Sequence, residues 1–149
     1  VGESGMGMFF GQKELTIDDK SRLVLPALYR EGFQGGICYA TLGMDMCIQL
    51  FPKDIFEKKA SELMTLSDFS KEARELKRTY LGNTFNIPID SHNRILVPKT
   101  LSEKTNMNKK VILVGVFDHL ELWDAEIYQA KEEENEKNYA ANAEAILGR

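Results

Sequence analysis

The spacing in this sequence best suited to chemistry is Asp-x-x-x-Arg followed by an apolar triplet and a proline. It occurs twice: Asp18 and Arg22 lead into Leu23, Val24, Leu25 and Pro26, and Asp90 and Arg94 lead into Ile95, Leu96, Val97 and Pro98. In a tight strand-to-strand loop an Asp accepts hydrogen bonds from backbone N–H groups a few residues ahead and fixes the loop's shape. The Arg at the far end either pairs back to that Asp or projects a guanidinium fork suited to phosphate or to guanine O6 and N7. As a surface ion pair the Asp–Arg couple is worth at most about 1 kcal/mol. Lys20 and Ser21 in one loop, and His92 and Asn93 in the other, add short polar or basic groups able to touch phosphates or base edges. The candidate nucleic-acid contacts are therefore Arg22, Arg94, Lys20, Ser21, His92 and Asn93, with Lys13 as a further phosphate contact. Asp18, Asp90, Pro26 and Pro98 are the candidate loop-structuring residues.

Two such loops require two copies of whatever positions them. At an offset of 72 residues, TIDDKSRLVLPALYRE (16–31) aligns without a gap on PIDSHNRILVPKTLSE (88–103). Carried further, the same offset places Gly43 on Gly115 and IQLFPKDIF (48–56) on LELWDAEIY (120–128). Two copies at this period are too few and too long for a solenoid, so a pseudo-symmetric pair is expected. Packed about a pseudo-two-fold, Lys20 and Arg22 would meet His92 and Arg94 and make a positive claw on one face.

Each copy reads as a β-rich half followed by helix. Residues 15–17 and 23–25 form strands on either side of the Asp loop, Pro26 opens a short helical turn over 27–30, and strands follow at 37–42 and 47–51, repeated at 111–114 and 120–123. Pro52 opens a helix with a stripe at i, i+4 spacing of Ile55, Phe56, Lys59 and Leu63. Ser67 or Ser70 caps another over 72–80, stopped by Gly82, and Asp124 caps a third reaching about residue 146. The organisation expected is a first repeat over 12–56, a helical connector over 57–83, a second repeat over 84–128 and a C-terminal helix over 129–149. Residues 1–7, VGESGMG, read as a cloning remnant ahead of a natural start at Met8.

Composition sets the function classes that remain. An apolar fraction of 43% supports a buried core, and the longest apolar run, residues 111–117, is far short of the roughly 18 residues of a membrane span. No membrane association is expected. A net charge of −4 excludes coating nucleic acid by bulk charge, leaving a local basic patch. Residues 8–56 carry five basic and six acidic groups, residues 84–128 the same, and 129–149 three and five, so the acidity is concentrated at the end. Lys71, Arg74, Lys77 and Arg78, interleaved with Glu72 and Glu75, read as a solvated ion-pair face. Cys38 and Cys47 suit small core residues in a reducing cytosol. With no Walker loop, no HExxH and no metal-ligand spacing around His92 or His119, neither an enzyme, a metal nor a cofactor is expected.

At DDKSRLVLP and DSHNRILVP the chain resembles the AbrB-like (SpoVT-AbrB) swapped-hairpin DNA-binding module. Its tandem pair, with MFFGQKELTIDDKSRLVLPALYRE, LKRTYLGNTFNIPIDSHNRILVP and VILVGVFDHLELWD, resembles the MraZ family of bacterial transcriptional regulators over residues 8–147. The resemblance implies an α+β fold in which the two β halves intertwine into a pseudo-two-fold swapped-hairpin β-barrel with flanking α-helices. It also implies a cytoplasmic, nucleoid-associated regulator, a repressor that binds double-stranded DNA at direct repeats upstream of the division and cell-wall gene cluster, as a ring-shaped homo-oligomer. The family pattern places Gly just before the Arg, where this chain has Ser21 and Asn93. Asn accepts the left-handed conformation more readily than Ser. Two competing readings are a structural, ring-forming interaction module with salt-bridged turns and an antitoxin-type AbrB-like protein.

Overall fold

A computed structural model describes residues 8–148; the leader at 1–7 lies outside the described residues. The first repeat contributes β1 (Gln12–Thr16), β2 (Arg22–Val24), α1 (Ala27–Arg30), β3 (Ile37–Leu42) and β4 (Ile48–Phe51). Helices α2 (Lys53–Met64) and α3 (Lys71–Gly82) follow. The second repeat runs through β5 (Phe85–Pro88), β6 (Arg94–Leu96), α4 (Lys99–Lys104), β7 (Lys110–Gly115) and β8 (Leu120–Asp124), and α5 (Ala125–Leu147) closes the chain. The fold is α+β.

Six strands form an antiparallel sheet in the order β1-β7-β8-β4-β3-β5, and β2 with β6 forms a separate two-stranded ribbon. The repeats interleave: β1 pairs with β7 and β5 with β3, so each repeat's first strand completes the other repeat's half of the sheet. Two pairings put the pseudo-two-fold on residues related by the 72-residue offset. Leu23 faces Ile95 at the centre of the ribbon, and Gln49 faces Glu121 at the centre of the β4–β8 pair. Among the described residues no closed barrel is seen: β1 and β5 are the two edges of the six-stranded sheet. The chain leaves each of these strands at the Asp loop, and β2 and β6 then spend their hydrogen bonds on one another.

The single offset also needs correction. Leu42 pairs with Ile48 whereas Gly115 pairs with Leu120, so Gly115 is equivalent to Leu42, a shift of 73. The core confirms the slip, with Cys38 and Ala40 buried in β3 where Val111 and Leu113 are buried in β7. One-residue slips exchange the faces of a strand, so the inward pattern decides the match. Gly115 has its own reason to be glycine, because a Cβ there would overlap the backbone of Phe9 and Phe10.

The ribbon packs its inward residues Leu23, Leu25, Ile95 and Val97 onto the sheet, against a core that includes Cys38, Ala40, Leu50, Val111, Leu113 and Leu122. On the other side Ile112 and Trp123 pack with Ala125 and Tyr128 of α5. Only the first turns of α5 are buried, and the acidic stretch beyond them is largely solvent-facing. Asp124 caps α5 by accepting from the Ile127 amide, and Ser70 caps α3 by accepting from the Ala73 amide at 3.1 Å. Helices α2 and α3 dock on β3 through the stacked rings of Tyr39, Phe56 and Tyr80.

The α3 cations differ from the expected face. Lys77 reaches the Leu66 carbonyl and the Asp68 carboxylate, and Arg74 the Asp68 carbonyl, tying down the α2–α3 turn instead of pairing with Glu72 or Glu75.

Candidate nucleic-acid interface

The two Asp loops have the same internal wiring. Asp18 Oδ1 accepts from the amides of Lys20 and Arg22 at 2.8 and 2.9 Å, and Oδ2 accepts from Arg22 Nε at 2.8 Å. Asp90 accepts from His92, Arg94 and Arg94 Nε at 2.8, 2.9 and 2.8 Å. The loops close through Asp18 N to Arg22 O and Ser21 N to Asp18 O, with the equivalent bonds of Asp90, Asn93 and Arg94 in the second copy. This geometry requires a left-handed residue before each Arg, and Ser21 (φ 63°) and Asn93 (φ 61°) both adopt it. The replacement of the family's Gly therefore leaves both loops with the same shape.

Hydrogen bonds to the charged form stabilise it. They hold the Asp90 carboxyl at about 2, the Arg94 amide contributing most, desolvation opposing, and the Arg94 side chain and His92 amide adding to the lowering. Asp18 is lowered in the same way, chiefly by the Arg22 amide.

Each Arg combines the two roles its spacing allows. Nε pairs back to the Asp, while among the described residues neither Arg22 nor Arg94 uses its terminal Nη groups in a hydrogen bond within the protein. Their side chains remain 33% and 29% exposed, enough for those nitrogens to meet a ligand. The loops are also tied to each other: Leu25 N donates to Asn93 O and Val97 N to Ser21 O, both at 2.8 Å.

The register fixes what meets. Arg22 lies opposite Leu96 and Arg94 opposite Val24, so the two Arg residues are diagonal neighbours on the outward face, about 7–8 Å apart. Lys20 and His92 do not meet. They precede the Arg of their own strand and so extend toward opposite ends of the antiparallel ribbon. Lys13 stands apart on β1 opposite Leu113, five positions or about 17 Å of extended chain before Asp18. Pro26 and Pro98 occupy the N-cap positions of α1 and α4, so they start the helices that leave the ribbon. Lys109, which carried no role in the sequence reading, pairs with Asp19 and so neutralises the one acidic group of the first loop not used to shape it.

Other candidate chemistry is sparse. Among the described residues no three His, Cys, Asp or Glu side chains converge as a metal site. Cys38 and Cys47 are buried free thiols, with burial pushing Cys38 up to about 12. His119 is a packed residue, its ring stacked 4.8 Å from Phe51 and its Nδ1 2.7 Å from Asp118. No helix among the described residues is long and apolar enough to cross a membrane.

The family model described as "MraZ protein, putative antitoxin-like" matches residues 8–79 and again residues 80–149. The chain belongs to the MraZ family. The two matches are in tandem, one holding β1–β4 and the other β5–β8. Among MraZ relatives, the chain is 33% identical over 139 residues to the transcriptional regulator MraZ of Mycoplasmoides gallisepticum, covering 93% of this chain and 97% of that protein. It is 38% identical over 129 residues to the transcriptional regulator MraZ of Burkholderia cenocepacia, covering 85% and 89% respectively. The MraZ regulator of Roseiflexus sp. is 35% identical over 116 residues, covering 78% and 80%.

Proposed function

We propose that this chain is a DNA-binding transcriptional regulator, not an enzyme, that presents the β2–β6 ribbon to the major groove. A two-stranded β-ribbon fits that groove, and an Arg fork suits guanine O6 and N7. The observation that carries the reading is the pair of Arg side chains on one outward ribbon face, each anchored through Nε with its Nη groups unengaged within the described protein. Lys20, Ser21, His92 and Asn93 flank them toward the two ends and contact the DNA backbone or base edges. Lys13 supplies a separate phosphate contact.

One ribbon makes few contacts, so useful affinity needs several. A ring-shaped homo-oligomer set on direct repeats raises the effective concentration of each further ribbon without new chemistry. In this reading the protein represses the division and cell-wall gene cluster from repeats upstream of it and resides on the nucleoid in the cytoplasm.

Arg22→Ala or Arg94→Ala is expected to abolish operator binding in a gel shift while leaving the oligomer's mass in solution unchanged. Unaltered affinity in both variants overturns the reading. The loop ion pairs themselves favour a second one, an interaction module whose turns are merely salt-bridged. A steep fall in DNA affinity with salt separates the two, because phosphate contacts release counterions and a structural ion pair does not.

A further inference from the structure

The outward face of the β2–β6 ribbon carries four side chains, and only two are charged. The others are Val24 and Leu96, 54% and 59% exposed, while their inward neighbours Leu23 and Ile95 are at most 1% exposed. The solvent side of an antiparallel ribbon ordinarily carries polar residues, so two exposed aliphatics on it, at the last positions of β2 and β6, call for a partner. The register makes their position specific. Each aliphatic lies directly opposite an Arg, Val24 against Arg94 and Leu96 against Arg22. The bonds from Leu25 N to Asn93 O and Val97 N to Ser21 O make these the closer, non-hydrogen-bonded kind of pair, with Cα atoms about 4.5 Å apart.

We propose that Val24 and Leu96 are specificity-determining residues that pack on the C5-methyl groups of thymines within one or two base pairs of the guanines taken by Arg94 and Arg22. This rests on the DNA-binding reading above and adds a second base class to it. A purely apolar partner would have to bury two guanidinium groups alongside the aliphatics, which is costly. The major groove instead offers acceptors on guanine and an apolar methyl on thymine side by side. The cross-strand spacing of about 4.5–5.5 Å between side-chain origins falls between one and two base-pair steps of about 3.4 Å, so an Arg and the aliphatic opposite it reach base pairs one or two apart.

The probe is the duplex enriched by the full-length protein from a random-sequence library, then resynthesised with deoxyuridine in place of each thymidine, on either strand, within two base pairs of an enriched guanine. Removing one methyl that packs on an aliphatic is expected to weaken wild-type binding about four-fold. The double variant Val24→Ala/Leu96→Ala is expected to bind the thymidine and deoxyuridine duplexes equally. Both residues lie outside the core, so the variant should stay folded and unfold thermally only slightly below wild type. Sequence-specific binding by the wild type that is indifferent to deoxyuridine, or a variant that still discriminates, overturns the inference and leaves the regulator reading standing. Failure to enrich any sequence overturns both.

Discussion

The smallest unit of consequence is the Asp carboxylate inside each loop, which binds two amides and one guanidinium at once. Its protonation should therefore unmake the loop. With the folded-state value for Asp90 at about 2, below the unfolded value near 3.9, its stabilising contribution is complete above about pH 4 and is lost as pH falls through about 2. The Arg94 Nε–H resonance should report this by NMR, broadening only below pH 4; broadening that begins near neutrality would contradict the assignment. The residue before each Arg is the other determinant. A β-carbon in the left-handed region costs about 1–2 kcal/mol for an ordinary residue, partly offset by glycine's greater freedom when unfolded. Ser21→Gly should thus stabilise the protein by about 0.5–1 kcal/mol and Asn93→Gly by less, measured as a shift in the urea midpoint. A loss of stability in Ser21→Gly would mean that the serine hydroxyl has a role of its own.

At the scale of elements, helix starts are where short polar side chains matter. Ser70 supplies a single cap bond, and Ser70→Ala should cost about 1 kcal/mol. Asp124 is different, being buried and bonded to both the Asn108 amide at 2.8 Å and the Ile127 amide, so that it joins β8, α5 and the turn before β7. Removing it strands two donors, and Asp124→Ala should cost about 2–3 kcal/mol. Equal losses in the two variants, followed by chemical denaturation, would refute that ranking. The ribbon shows the same dependence on context: its inward residues are core because that face packs onto the six-stranded sheet, while the aliphatics of its outward face stay exposed.

For the whole molecule the decisive feature is interleaving. Because among the described residues β1 pairs only with β7, and β5 only with β3, neither repeat contains a complete half-sheet. Residues 8–79 expressed alone should therefore show little native structure as a monomer by circular dichroism, and mixing with residues 80–149 should restore a one-to-one complex on size exclusion. A stably folded monomer of either half would contradict the swapped pairing.

The sequence by itself determined the duplication, the identity of the loop residues, the strand over 37–42, the proline-started helices, and the Ser70 and Asp124 caps, one of two positions offered for α3. These are local matters: a capping oxygen, a proline's fixed φ and an Asx loop act within a few residues, so residue order reveals them. Alternation through Leu23, Val24 and Leu25, with the outer two inward, likewise puts Val24 outside. Tertiary structure alone decided the rest. Whether the strands close into a barrel, the one-residue slip of β3 against β7 and the separation of Lys20 from His92 all depend on partners distant in the chain. Strand pairing and buried faces select among registers that short-range preferences leave equal, and that selection brings two Arg forks from loops 72 residues apart onto one face.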